Sequence, residues 1–170
     1  MNTYTDVTLV LWNLDVIDLL SLALFERNLR SRGMEPSEGV ERIERLIHSS
    51  SPSVVVLDLE PPYDRSASVA HYLMDRFPDS SFVMTCADSK RVRRAAPWLT
   101  AHPIFQKPYQ MDDIADKVGS IVSSPFRSLA AGTRFFADVR WKRPVEKEVR
   151  AFGPPLSSAD LVAGRRRLLN

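Results

Sequence analysis

Short apolar runs alternate with amphipathic stretches along the first 122 residues of the chain. The most apolar run, Val54-Val55-Val56-Leu57, lies between Ser-Pro and Pro-Pro and reads as a strand buried on both faces, as central parallel strands are. Val7 to Asn13, Ser81 to Thr85 and Pro103 to Pro108 read as further strands. Arg30 to Pro36 has almost no apolar character and ends in proline, which fits a short edge strand. Between these runs the spacing becomes helical. Asp15 to Leu29 carries Val16, Ile17, Leu19, Leu20, Leu22, Leu24 and Phe25, an apolar surface wide enough for a buried-facing helix, with Glu26, Arg27 and Arg30 at its polar end. Val40, Ile43, Leu46 and Ile47 mark one inward face of a second helix, and Val69, Leu73 and Phe77 mark a third over Ser66 to Phe77, stopped by Pro78. A fourth, Lys90 to Leu99, is broken near Pro97; a fifth, Met111 to Ile121, opens on Asp112 and Asp113 and closes near Val122. The alternation predicts an α/β fold, a doubly wound five-stranded parallel sheet flanked by helices with right-handed crossovers.

Chemistry gathers where these strands end. Asp58 closes the Val54 run, Thr85 ends the next strand, and Lys107 follows the last, before Pro108. In open α/β sheets ligands collect at the carboxyl ends of the strands. If the three strands are parallel neighbours, a carboxylate, a hydroxyl and an ammonium converge on one crevice. An acyl phosphate on the carboxylate needs such partners, because phosphoryl transfer is catalysed by positioning and charge neutralisation. Each residue also has a plainer reading. Asp58 fits an Asx cap before Pro61 and Pro62, Thr85 a β-branched strand residue, and Lys107 a solvated lysine.

Together, in order and spacing, Asp58 with Pro62 four places on, Thr85 and Lys107-Pro108 resemble the receiver domain of two-component response regulators. Gly39, opening Gly39-Val40-Glu41-Arg42-Ile43, also falls where that family starts its second helix. The resemblance covers residues 5–122 and implies a flavodoxin-like receiver fold, with Asp58 as phospho-acceptor and Thr85 and Lys107 as phosphoryl-contacting and switch residues. It implies a histidine kinase, a phosphotransferase or another signalling protein as partner, or a second copy of the chain in a homodimer. The chain departs from the family after its first strand. Receivers carry an acidic pair there that holds Mg²⁺ with the acceptor aspartate; here the positions are Trp12 and Asn13. Each missing charge removes Coulomb attraction of roughly 4 kcal/mol at 4 Å in an effective dielectric of 20, before solvation cancels much of it. Mg²⁺ affinity at Asp58 is therefore expected to be weak. Asp15 and Glu60 are the nearby carboxylates that could restore it, although Asp15 fits equally well as an acid in the first turn of a helix. Trp12 at a strand end fits a ring capping the core, and an indole there would also partly fill the pocket. The aromatic switch position of the family falls on Ile104, with Phe105 beside it.

Composition agrees with a soluble, cytoplasmic protein. With 44% hydrophobic and 26% charged residues the chain can bury one full core, and it has no apolar run long enough to span a membrane. Residues 1–6 lack the character of a signal peptide. The single Cys86 excludes an intrachain disulfide and reads as a small buried hydrophobe; His48, His71 and His102 lack zinc spacing. No phosphate-binding Gly-rich loop, nucleophile elbow or metalloprotease motif occurs, so an independent enzyme is not expected. Residues 123–170 form a basic, proline-containing extension with ten Lys and Arg against four Asp and Glu, a net charge of +6, which leaves −4 for the preceding part of a chain totalling +2. Such asymmetry fits docking on an acidic surface, contact with a nucleic acid, or a solvated extension. Phe135-Phe136-Ala137-Asp138-Val139-Arg140-Trp141 is its aromatic exception.

The resulting expectation is an atypical single-domain receiver-like signalling protein acting through protein contacts, with Mg²⁺-dependent phosphorylation of Asp58 impaired or absent. Two alternatives stand beside it: a phosphorylation-competent receiver in a phosphorelay, and a nucleic-acid-binding adaptor using the basic extension.

Overall fold

The computed structural model describes residues 5–124. Expectations that fall on residues 125–170, including most of the basic extension, lie outside them.

The elements alternate as the hydrophobic pattern predicts: β1 (Val7–Val10), α1 (Leu14–Phe25), β2 (Ser31–Met34), α2 (Val40–Ser50), β3 (Val54–Leu59), α3 (Tyr63–Arg76), β4 (Ser81–Cys86), α4 (Ser89–Ala95), β5 (Ile104–Gln106) and α5 (Met111–Val122). Short 3₁₀ turns occupy Pro36–Glu38 and Pro97–Ala101. The five strands are all parallel, in the order β2-β1-β3-β4-β5. β2 is an edge, which accounts for its sequence Ser-Arg-Gly-Met: only Met34 is buried. β3 lies at the centre and all six of its residues are buried.

The sheet has two covered faces. On one, Val55, Leu57, Phe82 and Met84 pack with Ile43 and Ile47 of α2, Leu73 of α3 and Val92 of α4. On the other, Val7, Leu9, Val56 and Val83 pack with Ile17, Leu20 and Leu24 of α1 and Ile114 and Val118 of α5. Arg27 ties the two helices of that second face together, donating from Nε to Asp116 at 2.7 Å and from Nη2 to Asp112 at 2.9 Å. Gly33 on β2 is dictated by α1: a Cβ there would run into the Ile17 side chain. Gly39, at φ 91°, turns the chain into α2 through a conformation that L side chains rarely adopt.

Several boundaries differ from the sequence expectation. α1 stops at Phe25 rather than Leu29, because Asn28 takes the left-handed conformation at φ 58° and Leu29 N–H returns to the Leu24 carbonyl at 3.0 Å. α2 continues past Ile47 to Ser50, where Ser51 takes the same conformation. α3 starts at Tyr63, not Ser66, since Pro62 sits in extended conformation just before it and Tyr63 is buried. α4 breaks at Ala96, before Pro97, as the proline requires. The expected inward surface of α1 is only half right: Leu19, Leu22 and Phe25 are exposed, and so is Leu14.

Candidate functional site

The parallel register brings the three expected groups together. Asp58 sits one residue inside the end of β3, directly opposite Thr85 of β4, and Thr85 in turn faces Phe105 of β5, two residues before Lys107. The Lys107 N–H bonds to the Cys86 carbonyl at 2.8 Å, which holds the lysine against the end of β4. In a sheet ordered 2-1-3-4-5 the connections leaving β1 and β3 run to opposite faces, and the crevice between them is where such folds place their ligand sites.

Asp58 is buried, its side chain only 3% exposed. Both of its oxygens are engaged. Thr85, fully buried, donates its hydroxyl to Asp58 Oδ1 at 2.7 Å, and Lys107 Nζ donates to Oδ2 at 2.6 Å. The same ammonium also reaches Glu60 Oε1 at 3.0 Å, so one cation bridges two carboxylates. Burial works to lower the Lys107 pKa, but its hydrogen bonds to Asp58 and Glu60, with the attraction of their charges, outweigh burial and hold it above the usual lysine value. Asp58 therefore bonds across to Thr85 and Lys107, and Lys107, though partly exposed, is paired with two carboxylates.

Tyr109 and Glu60 complete the surroundings. The half-buried Tyr109 phenol has its pKa raised by burial first and by the Asp58 charge second. Sequence reading passed over this residue; its place directly after Lys107-Pro108 was the available signal. Glu60 drew attention only as a substitute metal ligand, and the structure places it on Lys107 instead. Cys86, fully buried beside the site, has its thiol pushed up by burial and then by the charges of Asp58 and Asp88, which fits the inert hydrophobe expected. Next to Lys107, Gln106 Oε1 accepts from the Ser89 hydroxyl at 2.6 Å and from the Ser89 N–H at 3.1 Å, linking β5 to the first turn of α4.

Trp12 and Asn13 serve other ends. The Asn13 amide oxygen caps α1, accepting from the N–H of Asp15 at 2.8 Å and of Val16 at 3.4 Å. Trp12 is 40% exposed and belongs to neither core cluster, so it does not cap the core as its position suggested. Asp15 lies exposed in the first turn of α1, where the helix dipole favours an acid.

As a site for a divalent cation this donor set is poorer than three carboxylates would be. Mg²⁺ takes oxygen ligands around an octahedron and dehydrates reluctantly. Each Asp58 oxygen already accepts a hydrogen bond, the loop after β1 carries a capping amide and an indole, and the Lys107 ammonium bridges Asp58 and Glu60. Among the described residues no group of three or more His, Cys, Asp or Glu is arranged to hold a metal ion. No described helix is long and apolar enough to cross a membrane.

No family model matches the chain, and no curated protein matches it either. Solved structures do. A response regulator from Thermotoga maritima superposes with a TM-score of 0.59 at 16% identity, over 71% of this chain and 99% of its own. The signal receiver domain of a Vibrio parahaemolyticus protein gives 0.60 at 17% identity, over 75% and 95%. An orphan response regulator of H. pylori gives 0.56 at 12%, over 69% and 96%. At these identities the likeness speaks for the backbone arrangement, and with the strand order and register above it leads to one conclusion: the fold of this chain is that of response regulator receiver domains.

Proposed function

We propose that this chain is a receiver-type signalling module that acts through protein contacts and in which Mg²⁺-dependent phosphorylation of Asp58 is impaired or absent. One observation carries the reading. Both oxygens of the Asp58 carboxylate are held by donors of the protein itself, while the loop after β1 supplies a capping amide and an indole where a metal site needs acids. Thr85, Lys107 and Glu60 then act as a fixed charge arrangement. Lys107 neutralises a buried carboxylate that would otherwise be costly, and Thr85 satisfies its second oxygen. Partners of the kinase, phosphotransferase or other signalling class would meet the outer surfaces of this scaffold rather than its crevice.

The test is direct. The full chain is incubated with acetyl phosphate and millimolar magnesium and its intact mass is measured beside Asp58→Asn and the double substitution Trp12→Asp/Asn13→Asp. The reading expects no phosphoryl adduct on the native chain and an adduct on the double variant, since Asp at position 13 still caps α1. Near-complete phosphorylation of the native chain, lost in Asp58→Asn, would overturn it and return Asp58 to the role of acceptor in a phosphorelay.

A further inference from the structure

α1 is apolar around most of its circumference. Ile17, Leu20, Ala23 and Leu24 face the sheet, yet Leu14, Leu19, Leu22 and Phe25 stand 58%, 55%, 57% and 73% exposed. At 3.6 residues per turn those four side chains fall within one arc of about 140° on the opposite side. Helices that are apolar all round are normally covered all round. Four of the six large exposed hydrophobics among the described residues lie on this helix, so they form a patch rather than a scatter. Asp15, Asp18 and Glu26 stand exposed within the same arc. A second copy of α1 laid on the patch would set carboxylate against carboxylate, and the cover must instead combine apolar groups with cations.

We propose that residues 125–137 of this same chain are that cover. They carry Phe126, Leu129, Phe135 and Phe136 with Arg127 and Arg134, and no acidic residue. The chain leaves α5 on the sheet face that α1 also covers. From Ser124 the eleven residues to Phe135 reach about 36–40 Å when extended, roughly twice the ~18 Å length of α1. Tethering raises the effective concentration of the segment to the millimolar range, so modest contacts suffice. The apolar side chains cover Leu14, Leu19, Leu22 and Phe25, and the two arginines lie against the carboxylates of Asp15, Asp18 and Glu26 in the same arc.

The test uses the full chain with Leu22→Cys, in which native Cys86 is fully buried and gives the background rate. Maleimide labelling at position 22 is compared with the same chain also carrying Phe126→Ser, Phe135→Ser and Phe136→Ser, substitutions outside the described core. Labelling slower by about tenfold in the first chain, and independent of protein concentration, is the expected result; it corresponds to about 1.4 kcal/mol of docking. Equal rates in the two chains would overturn the proposal, and protection that grows with protein concentration would assign the patch to a second copy instead.

Discussion

Removing the Lys107 ammonium is the perturbation that most directly tests whether the crevice is held by its own charges. The pair to Asp58 is 2.6 Å long, and in an effective dielectric of 20 its gross attraction is about 6 kcal/mol. Taking the carboxylate out of water consumes much of that gain. Breaking a fully buried pair costs about 3–5 kcal/mol, but the Lys107 side chain is 35% exposed and water screens it, so Lys107→Met should cost about 2–3 kcal/mol. Asp58→Asn preserves shape and leaves Lys107 its second carboxylate, Glu60, at 3.0 Å, so its cost should be about 1 kcal/mol. The double substitution removes both charges together and should cost little more than Asp58→Asn alone, which gives a coupling energy of about 2 kcal/mol. Urea unfolding at neutral pH, followed by circular dichroism on the four chains of the cycle, measures it. Additivity within about 0.5 kcal/mol would refute the reasoning, because it would mean that water rather than Lys107 balances the buried carboxylate.

The remaining expectations concern positions around that centre. Asn13→Ala should lower stability by about 1 kcal/mol through loss of the α1 cap, and Asn13→Asp should leave it nearly unchanged in the same unfolding assay. Gly33→Ala should cost about 1–3 kcal/mol, because the new methyl group must displace Ile17 and with it the packing of α1 on β2. Burial holds the His102 pKa below its ordinary 6.5; the unfolded chain therefore takes up a proton first, and stability should fall as pH drops through 6.5, a slope that His102→Gln should flatten. The raised Lys107 pKa acts at the other end: its stabilisation is complete below the unfolded value of 10.5 and is lost as pH rises through the folded value, so the native chain should lose more stability above pH 10.5 than Lys107→Met does.

Period and punctuation made most of the fold legible. The four-residue apolar run of β3 between prolines read as a central strand and the weak β2 as an edge, because a strand buried on both faces is apolar throughout while an exposed edge need bury only a residue such as Met34. Asp58, Thr85 and Lys107 were legible as a set because parallel neighbours present their carboxyl ends on one edge. Glu60 as a partner of Lys107 was not, since a strand-end carboxylate two residues from another can point to a metal, to solvent or to a cation, and only the path of the loop decides. The outward half of α1 was misread for a related reason. Periodicity counts apolar residues on an arc without saying how wide a strip the sheet can cover, and Leu19, Leu22 and Phe25 lie beyond that strip. Trp12 was misjudged because a large ring is usually buried somewhere, and here the chain turns into α1 before the ring can reach the core.

β5 holds only three residues, none of them buried, and it is the outermost strand on its side of the sheet. So short and shallow a strand contributes little of its own to keep its place. The Lys107 ammonium, drawn to a carboxylate anchored in the central strand, therefore works as a latch that pins the margin of the sheet, together with the Gln106 link to Ser89 and the main-chain bond to Cys86. With the latch open, the first part of the domain to fray would be β5 and the turn that follows it, seen as amide exchange at Phe105, Gln106, Lys107 and Tyr109 well ahead of global unfolding. The cation that faces Asp58 would thus also serve as the fastener of the sheet's edge.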